Sequence, residues 1–375
     1  MTEAPPEQAP LTVAFLLASY TPDAPAGMER ATAALAKGLR QLGHRAIILT
    51  AAEQAEPDPD VIRLRALAAS FPCDDDTLRR AIHQAGDTLH REITATFDAH
   101  GVDVAVYVDA LWGLGRVAVQ HRARSVLATH VIGHDEDLAV ALASVEHVVA
   151  PSSTVLGQAR EQGYDTDGWS VILNGLLHEH PCPDEEARET LRRRAPIRVL
   201  GRLGPEKNIP GLVNEARLLE RPAEVVVADA GFETTPGAQG GEWSRCKHAA
   251  AHSPWVRLRS GGISWADVPA WLAEAAVVIV PSLRESFGLV ALEAMSVGTP
   301  VVCFDVDHLP SLVGTGPEAG GVVVPRSQGE HALWKAAAGL LGDPVRYRHL
   351  SRAAYYRSRD FRPTTVAEWF MKAVR

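Results

Sequence analysis

Pro281-Ser282-Leu283-Arg284-Glu285-Ser286-Phe287-Gly288-Leu289-Val290-Ala291-Leu292-Glu293-Ala294-Met295 follows an apolar run, Ala275 to Val280. It reads as the end of a buried strand, a short loop carrying one carboxylate and an apolar helix carrying a second. A helix opening near Ser286 and Phe287 turns its unpaired backbone N–H groups and positive dipole end toward the space beside Glu285, where a phosphate or a hydroxyl-rich ligand can sit. At about 1.5 Å per residue the step from Glu285 to Glu293 spans roughly 12 Å. Two acids so far apart suit opposite ends of one extended ligand rather than a shared proton.

Outward from this unit, short apolar runs alternate with helical patterns along the chain. Thr12 to Ala18, Ala46 to Thr50, Val104 to Val108, Ser125 to Ala128 and His147 to Ala150 are the strand candidates of the first half. Ile197 to Leu200, Val225 to Ala228, Trp255 to Leu258, Val277 to Val280 and Val301 to Phe304 are those of the second, continuously apolar as strands covered on both faces are. Thr77 to Phe97 places Leu78, Ile82, Ala85, Leu89, Ile93 and Phe97 on one helical face. The expected class is α/β, with two doubly wound Rossmann-like domains facing across a cleft. Ligands of such sheets bind beyond the carboxyl ends of the strands, hence in that cleft. Residues 1–10 read as a disordered leader, 11–178 as the first domain, 179–196 as a polar, proline-bearing linker and 197–357 as the second domain.

Composition narrows the partners. At 375 residues with 46% hydrophobic content the chain can build two cores, and its net charge of −9 argues against a general nucleic-acid binder. The four cysteines, Cys73, Cys182, Cys246 and Cys303, form no C-x-x-C pair, which fits a reducing cytoplasm better than a disulfide framework. The leader has no apolar stretch behind a basic start, and no window approaches twenty apolar residues, so the expectation is a cytoplasmic chain without a membrane span.

Two loops add candidate ligand contacts. Ser19 to Arg30 follows the first strand and sets Gly27 just before a long helix, where backbone can approach a ligand closely. Neither G-x-G-x-x-G nor a P-loop occurs. Gly201-Arg202-Leu203-Gly204-Pro205-Glu206-Lys207-Asn208 follows the first strand of the second half, with the next helix starting near Asn208. Arg202 supplies a planar fork and Lys207 a compact charge, a pairing suited to a diphosphate; the same residues also read as cations on a solvated turn.

The order G-R-L-x-x-E-K-N, P-S-x-x-E-S-F-G-L-V-x-L-E-A and G-T-P-V-V resembles glycosyltransferase family 4, retaining enzymes of the GT-B fold. Gly27-Met28-Glu29-Arg30, Gly43-His44, Thr129-His130, Ala150-Pro151-Ser152 and Asn174-Gly175 continue the resemblance through the first half. It implies a nucleotide-sugar donor, UDP-linked, held by Gly27, Arg202, Lys207, Glu285, Ser286, Phe287, Gly288, Leu289 and Glu293. Arg202 and Lys207 would hold the diphosphate, Glu285 would meet sugar hydroxyls, and Glu293 the ribose. His130 would lie near the anomeric carbon, so that His130, Glu285, Arg202 and Lys207 form the catalytic set. Neither metal nor other cofactor is implied, and residues 358–375 are expected as a helix crossing back to the first domain. The chain departs from the family where Asp307-His308 replaces the usual Gly-Gly.

The acceptor is expected on the first domain, where the loop Asp109 to Arg116 and the acidic stretch His134-Asp135-Glu136-Asp137 would give the cleft an acidic lining suited to an amino-bearing polyol; the same acids also read as solvated helix caps. A hydroxylated metabolite such as an aminocyclitol, as in antibiotic biosynthesis, is the first candidate; a lipid or cell-wall acceptor and a non-catalytic sugar-nucleotide binder are the alternatives. A nucleotide-sugar epimerase of similar architecture is a further one. Asp305-Val306-Asp307 resembles the metal-binding Asp-x-Asp of the GT-A fold, and His178-Glu179-His180 has the residue types of a metal site, but both are too isolated to outweigh solvated or structural roles. The arginine- and tyrosine-rich segment Val345 to Arg362 reads as a terminal helix with a solvated face, or as a dock for anionic lipid or RNA.

Overall fold

The computed structural model describes residues 9–24, 26–54, 58–109, 114–133, 135–216 and 221–375. Strands β1 (Thr12–Leu16), β2 (Arg45–Thr50), β3 (Val61–Arg63), β4 (Val104–Val108), β5 (Arg124–Ala128), β6 (His147–Ala150) and β7 (Ser170–Val171) form a parallel sheet in the order β3-β2-β1-β4-β5-β6-β7. A second parallel sheet, ordered β10-β9-β8-β11-β12-β13, contains β8 (Ile197–Arg202), β9 (Ala223–Ala228), β10 (Val256–Arg259), β11 (Val277–Val280), β12 (Val301–Phe304) and β13 (Gly321–Val324). Both orders reverse beside the first strand of the sheet, between β1 and β4 and between β8 and β11. These are the switch points at which doubly wound sheets open a crevice.

Burial follows strand periodicity. Along β1 and just past it, Val13, Phe15 and Leu17 join one core while Ala14, Leu16 and Ala18 join the core on the opposite face. The expected helix of the first half runs Asp75–His100: Asp74 caps it by accepting the Thr77 amide at 2.9 Å, Gly101 ends it at φ 60°, and Gly86 interrupts it. Three strands escape periodicity. β3 and β7 are too short to show it, and β13 starts at Gly321, where a Cβ would lie 2.0 Å from the Val301 carbonyl oxygen.

The segment expected as linker is mostly the helix Glu185–Arg194, capped by Asp184 and tied to the second domain by Arg188, which donates to the Ala273 and Ala275 carbonyls and the Tyr347 hydroxyl. The arginine-rich segment forms the helix Pro344–Ser358 and a turn to Phe361, and part of it faces inward: Tyr347 is buried and Arg357 donates to Leu312 O. The chain then crosses to the first domain, where the helix Pro363–Ala373 lies on the helix Gly27–Gln41. Gly38 permits the approach, since a Cβ there would sit 2.0 Å from Pro363 O. All four cysteines are free, and among the described residues no helix is long and apolar enough to cross a membrane.

Candidate active site

The loops after β1, β8 and β11, together with His130 beyond β5, converge on a cleft between the domains. Gly27, Arg202, Lys207, Glu285, Ser286, Phe287, Gly288, Leu289 and His130 all line it. The topology explains the convergence: β8 and β11 are neighbours in the sheet, so the 201–208 and 281–288 loops leave it side by side.

Charge in the cleft is paired acid to base. Lys207 Nζ donates to Glu285 Oε2 at 2.6 Å, and the same oxygen accepts the Ser282 hydroxyl at 3.0 Å. Arg202 pairs with Glu206 at 2.5 Å. Across the domain boundary, Arg30 Nη1 donates to both oxygens of Glu293, at 3.0 and 2.8 Å. Glu293 itself does not line the cleft, whereas Arg30 does.

The helix carrying Glu293 begins at Leu289, not at Ser286 or Phe287. Gly288 precedes it at φ 105°, a left-handed geometry that costs glycine little, and a Cβ there would also press within 2.7 Å of Leu309 Cδ2. The free helix-start amides are therefore those of Leu289 to Ala291, since the Leu292 amide already reaches the Gly288 carbonyl. Residues 285–288 are a loop held from both sides: Ser152 Oγ of the first domain donates to Ser286 O at 2.8 Å, and Asp307 Oδ2 accepts the Glu285 amide at 2.6 Å. Thus the Asp307-His308 departure has a structural use. Asp307 also accepts from Gln158 of the first domain, and His308 stacks on Phe287 with ring centroids 5.1 Å apart.

Burial shifts protonation in the same direction, toward the neutral form, on both sides of the cleft. Burial lowers the pKa of His130 to about 4, and burial with Arg357 nearby does the same for His308, so both imidazoles are neutral near pH 7. Glu29, buried at the start of the Gly27–Gln41 helix, is raised to about 7 by burial against the pull of its backbone contact, Arg202, Arg30 and Ser19. Burial also raises Glu293, with Arg30 opposing it. At Gly27 a Cβ would meet only Leu289 Cδ1, at an ordinary 3.6 Å. Protein packing does not demand glycine there, and the open space in front of it is the cleft.

Among the described residues the first domain gives the cleft none of the expected acidic lining. Asp109 is fully buried at the end of β4, its amide bonded to Ala128 O, and does not line the cleft. His134 lies outside the described residues, and Asp135 opens the helix Asp135–Leu142. Asp137 on that helix, 2% exposed, accepts from Arg79 at 2.7 Å and Arg116 at 2.5 Å, so its charge is already compensated. The Asp-x-Asp carboxylates are likewise occupied: Asp305 accepts the Arg326 amide, and Asp307 is bonded as described above. Among the described residues no cluster of three or more His, Cys, Asp or Glu is arranged to hold a metal ion. Arg30 is the functional candidate that sequence reasoning passed over. Its signal was its place one residue after Glu29 in the Gly27 motif, with no partner assigned.

Residues 25–180 match the family model described as Glycosyltransferase Family 4, and residues 186–357 the one described as Glycosyl transferases group 1. The chain belongs to glycosyltransferase family 4. Its two parallel sheets and cleft are the GT-B fold of that family. A D-inositol 3-phosphate glycosyltransferase of Salinispora tropica is 31% identical over 254 residues, which is 62% of this chain and 50% of that protein. The chain spans about half the length of the curated relatives it matches. Among solved structures, a sucrose-phosphate synthase from Thermosynechococcus elongatus superposes with a TM-score of 0.77 at 21% identity, covering 96% of this chain and 98% of that one. HepE of Anabaena, in complex with UDP and glucose, superposes with a TM-score of 0.72 at 19% identity over 96% of this chain and 98% of its own.

Proposed function

We infer that this chain is a retaining glycosyltransferase that moves a hexose or N-acetylhexosamine from a UDP-sugar to a hydroxyl of a small polar acceptor. The observation that carries the reading is the set of three cation–carboxylate pairs, Lys207–Glu285, Arg202–Glu206 and Arg30–Glu293, around one inter-domain cleft. A nucleotide sugar uses both halves of such pairs: its diphosphate takes cations, and its hydroxyls donate to carboxylates. The HepE complex with UDP and glucose favours uridine, and the name of the Salinispora relative favours a cyclitol acceptor. The case for an amino group on that acceptor is weakened by Asp109, which is buried, and by Asp137, which is paired with Arg79 and Arg116.

In the reaction, the bond between the anomeric carbon and the diphosphate oxygen breaks while the acceptor oxygen bonds to that carbon from the same face. The acceptor proton passes to an oxygen of the departing phosphate, so neither a protein nucleophile nor a metal is called for. Arg202 and Lys207 stabilise the charge that builds on the leaving group, and the amides of Phe287, Gly288 and Leu289 add donors beside it. Glu285, fixed by Ser282 and by the Asp307 bond to its amide, accepts sugar hydroxyls. Neutral His130 offers one donor and one acceptor to the sugar. The two domains exclude water that would otherwise intercept it.

A thermal-shift and donor-hydrolysis panel of UDP, GDP, ADP and dTDP sugars tests this reading. Stabilisation together with slow sugar release from a UDP-sugar is expected, and activity should survive a chelator. Stabilisation without any turnover, with or without candidate acceptors, would instead identify a sugar-nucleotide binder.

A further inference from the structure

Arg30 is 8% exposed and belongs to the first-domain helix Gly27–Gln41, yet its carboxylate partner, Glu293, belongs to the second domain. A single nitrogen, Nη1, serves both Glu293 oxygens, and among the described residues the remaining lone pairs of the carboxylate have no hydrogen-bond partner. A carboxylate held in this way can accept two further donors side by side, which is the pattern of a vicinal diol. Arg30 lines the cleft beside Gly27, and the Glu293 side chain keeps 12% of its surface exposed. Without the guanidinium, this carboxylate would be desolvated with no compensating charge, free to turn and to take up a proton.

We propose that Arg30 is a positioning residue for the donor: from the opposite domain it orients the Glu293 carboxylate for the ribose diol of the nucleotide. The proposal rests on the nucleotide-sugar reading and extends it. Ribose recognition is then complete only when the first-domain helix and the Leu289–Ser296 helix stand against each other, which links reading of the nucleotide to the juxtaposition of the domains. Arg30 contributes through Glu293 rather than by touching the reacting atoms.

Calorimetric titration of the full chain with a ribonucleoside diphosphate and its 2′-deoxy counterpart tests this, using whichever of UDP, GDP and ADP the wild type binds. The wild type should prefer the ribonucleotide by about tenfold to a hundredfold, the loss expected when a hydroxyl bonded to a charged group is removed. Arg30→Met should collapse that preference to about twofold or less while changing 2′-deoxy binding little, Arg30→Lys should restore part of it, and Glu293→Gln should resemble Arg30→Met. An undiminished ribose preference in Arg30→Met, or an equal loss of affinity for both nucleotides in Arg30→Met and Arg30→Lys with melting temperatures unchanged, overturns the proposal and makes the pair a simple bolt between domains. Wild-type binding without ribose preference overturns it at Glu293. Absence of binding to all three diphosphates removes the nucleotide-sugar reading itself, and the proposal with it.

Discussion

The two walls of the cleft hold charge in opposite ways. The second domain presents Arg202, Lys207 and Glu285 at the ends of neighbouring parallel strands, each in a short ion pair, Arg202 with Glu206 and Lys207 with Glu285. The first presents Gly27, which has no side chain, and His130, kept neutral by burial, while Glu29 on the same helix as Gly27 is raised by burial to about 7. Arg30 is the exception, and its charge is spent on the second domain. The contrast matches a division of labour in which one wall meets a diphosphate and the other leaves room for a neutral acceptor.

The largest expected effect tests the charged wall. Lys207→Ala should cost about 2 to 4 kcal/mol of transition-state stabilisation, roughly 30-fold to 1000-fold in kcat/KM for the donor, because a desolvated phosphate loses its counter-charge. Near-normal turnover in steady-state kinetics would place Lys207 outside the chemistry and erase the contrast.

The neutral wall is tested by pH. Glu29 binds its proton more tightly folded than unfolded, so the stability it provides is present below about pH 4.5 and is lost as pH rises through about 7. Glu29→Gln should therefore remove a penalty on the order of 2 to 3 kcal/mol at pH 8 and show little gain at pH 4.5, read from urea melts at both values. His130 has the opposite slope, since its folded pKa is depressed and acid favours the unfolded chain from about pH 6.5 down to about 4. An equal effect of Glu29→Gln at both pH values would mean that burial does not raise this carboxyl.

Smaller effects concern the frame around the walls. Gly38→Leu should lower stability by about 1 to 3 kcal/mol by forcing the Pro363–Ala373 helix off the Gly27–Gln41 helix, seen as a lower melting temperature and earlier proteolysis of the C-terminal segment. Asp137→Asn should cost about 1 to 2 kcal/mol of stability through its ties to Arg79 and Arg116 while leaving the acceptor KM unchanged. A raised acceptor KM with intact stability would return that acid to the acceptor site.

The charged wall was legible in the sequence because its residues sit at strand ends: Arg202 closes β8, Lys207 follows five residues later, and Glu285 lies just past the end of β11, so reading the strands also placed the acids and bases. The start of the next helix was misplaced because Phe287 joins without a break in hydrophobicity the apolar run Leu289 to Leu292, and the left-handed turn at Gly288 leaves no mark in periodicity. The first-domain wall was harder to read. Whether Asp109 faces a cleft depends on which way a strand end turns, and whether Asp137 is free depends on arginines 58 and 21 residues away in sequence. The Arg30–Glu293 contact spans 263 residues, beyond the reach of local spacing.

The central claim is that this cleft cleaves a nucleotide sugar and delivers the sugar with its anomeric configuration kept. The most direct measurement is ¹H NMR of the first sugar formed when the protein turns over UDP-α-glucose, or another UDP-α-sugar chosen from the panel, followed before mutarotation mixes the anomers. The α anomer appearing first is the predicted result. The β anomer appearing first would contradict the retaining mechanism and, with it, the roles of Arg202, Lys207 and Glu285 in that mechanism.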